Sequence, residues 1–297
     1  RVAHAQIFYG PTGGSAYQLA LAFASYLLCQ DRREEDSCGH CAACRQMKQN
    51  GHPDVHFIFP LPAGQIDGAY PLSSAFRGQW TTFLAQKRPF QLSDWQQFID
   101  LAHKEVIISV RQSAEIARLL SLKSYGGGYR VVLIWLPERL HLAAANKLLK
   151  AIEEPEAKSI LLFVSEDLEQ VLPTITSRCQ KLNVPLPRAE ELEAWLIQQG
   201  VEAEKANAVA QIAEGSPTEA LHLSANDILY RNYAAFWRDW LRACYSAQVE
   251  SIFQLSDQFG SWGQRRSTRE PALFGPQPGI GFQSLPTRCS FGPPTVR

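Results

Sequence analysis

The sequence predicts an α/β fold, a parallel sheet with helices on both faces, followed by smaller helical domains. Three observations predict it. A short apolar run near the start ends in a glycine turn and a helical repeat. Strand-like and helix-like segments alternate from Val110 onward, which places the strands side by side and parallel. After Pro185 and Pro187 the pattern changes to short helical periods.

In chain order, Gln6 to Tyr9 reads as the first strand, Gly10-Pro11-Thr12-Gly13-Gly14 as a turn, and Tyr17 to Leu28 as a helix with Leu19, Phe23, Tyr26 and Leu27 at helical spacing. Val55 to Phe59 is a second strand. An insert, Leu61 to Lys104, opens with a Pro- and Gly-containing stretch and continues with Trp80, Phe83, Phe90 and Trp95. Regular alternation then gives a helix over Arg111 to Leu122, a turn at Gly126-Gly127-Gly128, a strand over Tyr129 to Trp135, a helix over Leu142 to Glu153 and a strand over Ile160 to Val164. Leu172-Pro173-Thr174-Ile175-Thr176 reads as a strand-loop. Short helices follow over Ala189 to Gln199, Ala203 to Glu214 and Pro217 to Ala225, then a longer one from Tyr230 to Ala247. The domain expectation is an α/β domain over 1–185, a helical domain over 186–228 and the start of another over 229–262. Residues 263–297 hold five Gly and six Pro with no apolar period and are expected to be disordered.

Composition excludes several function classes. Lys plus Arg and Asp plus Glu both number 29, so the chain is not the basic body of a protein that coats DNA by itself. The longest apolar runs, Val131 to Leu136 and Ile160 to Val164, fall far short of the ~20 residues of a membrane span. The first residues show no charged and apolar leader, and seven clustered or scattered cysteines do not make a secreted disulfide framework, so a reducing cytoplasm is expected. With no initiator Met, the chain is expected to be a piece of a longer one.

The strand, glycine turn and helix at the start have the layout of a phosphate-cradling loop, but the residues that do its chemistry are missing. Counted from Gly10 through Gly13 and Gly14, Ser15 stands where the motif has Gly, Ala16 where it has Lys, and Tyr17 where it has the Ser or Thr that holds Mg²⁺. A phenol cannot replace that hydroxyl. After the apolar run Val131 to Ile134, Trp135 and Leu136 occupy the positions where an NTPase places metal-holding acids. These losses predict that the loop is a relic and that this chain alone hydrolyses no nucleotide.

Cys29, Cys38, Cys41 and Cys44 form C-x8-C-x2-C-x2-C. Four thiolates that converge tetrahedrally suit a structural Zn²⁺, since none of the four positions is left open for catalysis. Four reduced thiols or a redox pair are the alternatives. His40 is expected to face solvent. Arg178, between Ser177 and Cys179 at the end of the sheet domain, is either a solvated charge or an arginine that stabilises phosphate charge on a neighbouring subunit.

Several segments together resemble one family: His4-Ala5, the degraded loop, the four-cysteine module, Gly51-His52-Pro53-Asp54, the run from Ala144 through Asn146-Lys147-Leu148-Leu149-Lys150-Ala151-Ile152-Glu153-Glu154-Pro155, and Leu172 to Gln180 with its Ser177-Arg178-Cys179. The chain resembles, over 1–262, the delta-prime subunits of the bacterial DNA polymerase III clamp loader, within the AAA+ clamp-loader proteins. The resemblance implies an AAA+ domain, a small helical lid and a helical collar. It implies partners: gamma/tau and delta subunits in a five-membered ring that opens the sliding clamp on primed DNA. It implies that Arg178 reaches the ATP site of an adjacent subunit, with Ser177 and Cys179 fixing its loop. It also places Thr218 where active subunits carry a lid arginine, in Gly215-Ser216-Pro217-Thr218-Glu219-Ala220. Leu148, Leu149 and Ile152 are expected in the core, and Glu153 and Glu154 are expected only to solvate their helix end. The insert is longer than this family leads one to expect, and 263–297 match nothing in it, which suggests a non-native tail. The competing readings are an active gamma/tau-type ATPase and a zinc-dependent nucleic-acid-binding module acting through Arg32, Arg33, Arg45 and Lys48.

Overall fold

The computed structural model describes residues 2–64, 69–86, 88–101, 104–122, 124–125, 127–225 and 227–257, with side chains of 227–235 left aside. Strand β1 (Ala5–Tyr9) leads through the glycine turn into α1 (Ala16–Leu28), and α2 (Ala42–Lys48) follows the cysteine module. Then come β2 (Val55–Ile58), β3 (Leu61–Pro62), α3 (Arg77–Leu84), α4 (Leu92–Phe98) and β4 (Val106–Ile107). The regular part follows: α5 (Val110–Ser121), β5 (Arg130–Trp135), a 3-10 turn (Pro137–Arg139), α6 (Leu142–Glu153), β6 (Ser159–Ser165), α7 (Pro173–Thr176) and β7 (Gln180–Asn183). The chain continues through α8 (Ala189–Gln198), α9 (Ala203–Ile212), α10 (Pro217–Ala225) and α11 (Asp227–Tyr245), with a further helical segment over 249–257.

Five strands form one sheet in the order β2-β5-β6-β1-β7, every pair parallel. The expected parallel-sheet α/β architecture is therefore present. Strands β5 and β6 are buried along their whole length, as continuous apolar runs covered on both faces must be. One face packs α1 and the insert against Phe8, Val131, Leu133 and Leu162. The other packs α5 and α6 against Ile7, Val132, Ile134 and Phe163, with Leu148 and Ile152 in that core as expected. Helices α8 to α10 enclose a third core around Leu192, Leu196, Ala206 and Val209.

One reading is corrected. Leu172 to Thr176 is one turn of helix, because Pro173 at its first position presets a helical φ and needs no N–H partner there. The strand beside it is the polar, largely exposed Gln180–Asn183, which adds to the sheet edge through its backbone. The insert is a closed excursion, since β3 and β4 pair antiparallel at its two ends, Leu61 opposite Ile107 and Pro62 opposite Val106. Among the described residues no helix is long and apolar enough to cross a membrane. The expected disorder of 263–297 and the end of the 229–262 segment lie outside the described residues, as does Cys289.

Candidate functional site

Gly10 to Gly14 lie beyond the C-terminal ends of β1 and β6, the edge of a parallel sheet where phosphates are usually received. The turn is tight, with Gly14 N–H donating to the Pro11 carbonyl at 3.1 Å. Helix α1 begins at Ala16, and Ser15 gives its N-terminus no side-chain cap. Ala16 and Tyr17 are both buried. The Tyr17 ring lies 4.9 Å from Phe90, 6.0 Å from Trp80 and 6.1 Å from Trp135. Trp135 in turn lies 5.3 Å from Trp80 and 5.1 Å from Phe90. Behind them Trp80 stacks on Phe59 at 4.2 Å, with Trp95 at right angles 4.8 Å away. Tyr17 and Trp135 are thus joined in one aromatic cluster with side chains from the insert. Burial pushes the Tyr17 phenol far above its ordinary pKa, so it stays neutral. Leu136, where a second acid would stand, is buried with φ +57, a left-handed conformation that a branched side chain adopts at a cost.

The side of the loop that faces α10 is closed as well. Thr218 N–H donates to the Gly13 carbonyl at 3.2 Å, and Ser216 Oγ donates to the same oxygen at 3.3 Å. Gly13 has φ +75, and a Cβ on it would collide with Ser216 Oγ. Thr218 itself is 1% exposed. His222 of α10 ties the same helix to Asp94 of α4 at 2.9 Å. Thr12 Oγ1 donates to Glu166 at 3.0 Å, and Glu166 N–H donates to Glu138 at 3.0 Å. Burial pushes both carboxyls up, Glu166 to about 7 with the Glu138 charge adding to the rise.

The four cysteines converge. Their sulfurs all lie within 4.8 Å of one another, with Cys29 to Cys41 at 4.0 Å and Cys38 to Cys44 at 3.9 Å. Metal–sulfur bonds of ~2.3 Å in a tetrahedron require S···S distances of ~3.8 Å, so the set fits a four-thiolate metal site. Three backbone N–H groups point at three of the sulfurs: Cys38 at Cys29, Cys41 at Cys38 and Cys44 at Cys41. Such donors stabilise thiolates, the form that ligates. His40 is exposed and contacts the Cys38 carbonyl and Asp31. Of the nearby cations, Arg45 donates to the His40 carbonyl at 2.8 Å and Arg32 lies over Tyr26, so two of the four serve the module itself.

Arg178 sits at the opposite end of the sheet. Its turn enters β7, whose first residue Gln180 pairs with Gln6 at the start of β1. Its Nε and Nη2 both lie 2.7 Å from Glu153 Oε1, and its Nη1 donates to the Thr174 carbonyl at 3.0 Å and to Ser177 Oγ at 3.4 Å. Glu153 is therefore more than a solvated helix end. Cys179 is buried in the α5/α6-side core, its thiol pushed up to about 12 by burial, and anchors the turn by packing. The aromatic cluster and the Glu153 contact escaped sequence reasoning. The density of aromatics at 80–98 beside two aromatic replacements at the loop was the available signal for the first.

A family model described as DNA polymerase III, delta subunit matches residues 1–187. A DNA polymerase III subunit delta' from Pseudomonas aeruginosa is 29% identical over 229 residues, 76% of this chain and 57% of that one. The subunit delta' of Escherichia coli K12 is 27% identical over 225 residues, 75% and 55% of the two chains. A DNA polymerase III subunit tau from Bacillus subtilis is 22% identical over 229 residues, 75% of this chain and 33% of that one. The chain spans a little over half the length of the two delta' relatives.

Proposed function

The chain belongs to the family described as DNA polymerase III, delta subunit, and from that premise we propose that it is a clamp-loader subunit that hydrolyses no nucleotide itself and presents Arg178 to the ATP site of a neighbour. One observation carries this reading: Tyr17 and Trp135, at the positions that should hold Mg²⁺, are cemented into an aromatic cluster by Trp80 and Phe90. Filling that volume with rings leaves no polar cradle, and aromatic burial stabilises the filled state. The closed contact of Thr218 on the Gly13 carbonyl acts in the same direction. The opposite end of the sheet keeps an exposed guanidinium, which suits the charge that develops on a transferred phosphoryl group. The implied partners are gamma/tau and delta subunits in a five-membered ring, with the sliding clamp and primer-template DNA engaged through the complex, in the cytoplasm. Residues 1–185 form the AAA+-like domain of this reading, 186–228 the lid and 229–262 the start of the collar.

We assign the four-thiolate site to structural zinc. Metal analysis of the purified chain is expected to find one zinc per chain, and Cys38→Ser is expected to lose it. Metal-free protein with an unaltered melting curve would overturn the assignment. The principal test is ATP hydrolysis and clamp loading by the loader reconstituted with gamma and delta partners, clamp and primed DNA. Replacing this chain by its Arg178→Ala variant is expected to abolish hydrolysis at the one site the arginine serves, a fall of ~10³ there. Unchanged hydrolysis with intact assembly would contradict the role given to Arg178.

A further inference from the structure

We infer that Glu153 is a positioning residue for Arg178, fixing which edge of the guanidinium faces the neighbouring subunit; this rests on the reading of Arg178 as an arginine acting in trans. Arginine carries five N–H donors in a planar fork. Glu153 Oε1 takes the Nε edge and one donor of Nη2, both at 2.7 Å, while the Thr174 carbonyl takes one donor of Nη1 at 3.0 Å. The Ser177 Oγ contact at 3.4 Å is the weakest of the set. One Nη2 donor remains free, and release of the weak Ser177 contact frees an Nη1 donor beside it, so a partner can engage the Nη1/Nη2 end of the fork, the end that takes two phosphate oxygens at once.

Three features argue that the pair exists for orientation. Both side chains are half-exposed, 39% for Arg178 and 47% for Glu153, and an exposed ion pair contributes little to stability. Glu153 is the last residue of α6, a regular helix whose Leu148 and Ile152 are locked in the core, so the carboxylate stands on a rigid platform. Arg178 lies in the turn that follows a one-turn helix, between buried Ile175 and buried Cys179. Two anchored elements therefore meet through one charged contact, and the guanidinium between them loses most of its rotamer freedom before a partner arrives. A pre-oriented group costs less to immobilise in the transition state than a free one.

The test is a double-variant cycle in the reconstituted loader, reading kcat and KM for ATP with clamp and primed DNA and checking ring assembly by sizing. Glu153→Ala is expected to lower the hydrolysis that depends on Arg178 about tenfold, with KM unchanged because the neighbour's own loop binds the nucleotide. Glu153→Gln, which keeps the acceptor and loses the charge, is expected to fall in between. In an Arg178→Ala background, Glu153→Ala is expected to change nothing further, which a merely structural role would not produce. An unchanged or raised kcat for Glu153→Ala, beside a lowered one for Arg178→Ala, overturns the positioning role and leaves the trans arginine standing. Equal losses in both backgrounds overturn it too. An unchanged kcat for Arg178→Ala overturns the trans arginine and the positioning role with it.

Discussion

The glycine loop and the Arg178 turn stand at opposite ends of the same sheet, and they have been built in opposite ways. At the loop, Tyr17, Trp135 and Leu136 are all buried. At the turn, a charged side chain remains exposed and held by Glu153, Thr174 and Ser177. The difference is the one the proposed function requires. Apolar packing at the loop end gains stability. An exposed guanidinium gains almost none, so its ordered geometry points to a task outside the chain.

The contrast is open to breaking. Trp80 is fully buried between Phe59 and the loop-end rings, so Trp80→Ala is expected to cost about 3–5 kcal/mol by denaturant titration. A loss under 1 kcal/mol would mean that the insert does not fill the site. Gly13→Ala meets both a positive φ and Ser216 Oγ, and about 1–2 kcal/mol should be lost with the contact between the loop and the start of α10. Hydrogen exchange at the Thr218 amide, faster in the variant, checks that the loss is local.

Glu166 offers a pH-dependent version of the same test. Its folded pKa lies above the ordinary value, near 7 against 4.5, so the folded state binds more protons and the group's contribution falls as pH rises through that window. Glu166→Gln should therefore raise Tm by a few degrees at pH 8 and by little at pH 5, measured by calorimetry. Equal effects at both pH values would detach Glu166 from the loop's electrostatics. The smallest effect is expected at the other end, where Arg178→Ala should leave stability within about 0.5 kcal/mol. A large loss there would make Arg178 a structural residue and erase the comparison.

Much of this was legible in the sequence, for physical reasons that differ by element. The bounds of α6 were readable because its apolar period and the following Pro155 are local signals. Strand β7 was not, because Gln180–Asn183 has no apolar face and is held only by backbone pairing. The two-residue strands β3 and β4 carry too little pattern to be read at all. At the loop, Tyr17 and Trp135 were readable as losses. Their shared cluster was not, since Trp80 and Phe90 reach them only after the insert folds back. Glu153 and Arg178 are 25 residues apart, and nothing in either local sequence says that they meet.

The most direct test is calorimetric titration of MgATP into the full chain, with the chain's melting curve recorded alongside. The filled loop predicts no saturable heat up to ~1 mM nucleotide and no shift in Tm, while the Arg178 turn remains available to a neighbour. Saturable micromolar binding of MgATP by the chain itself would contradict the account.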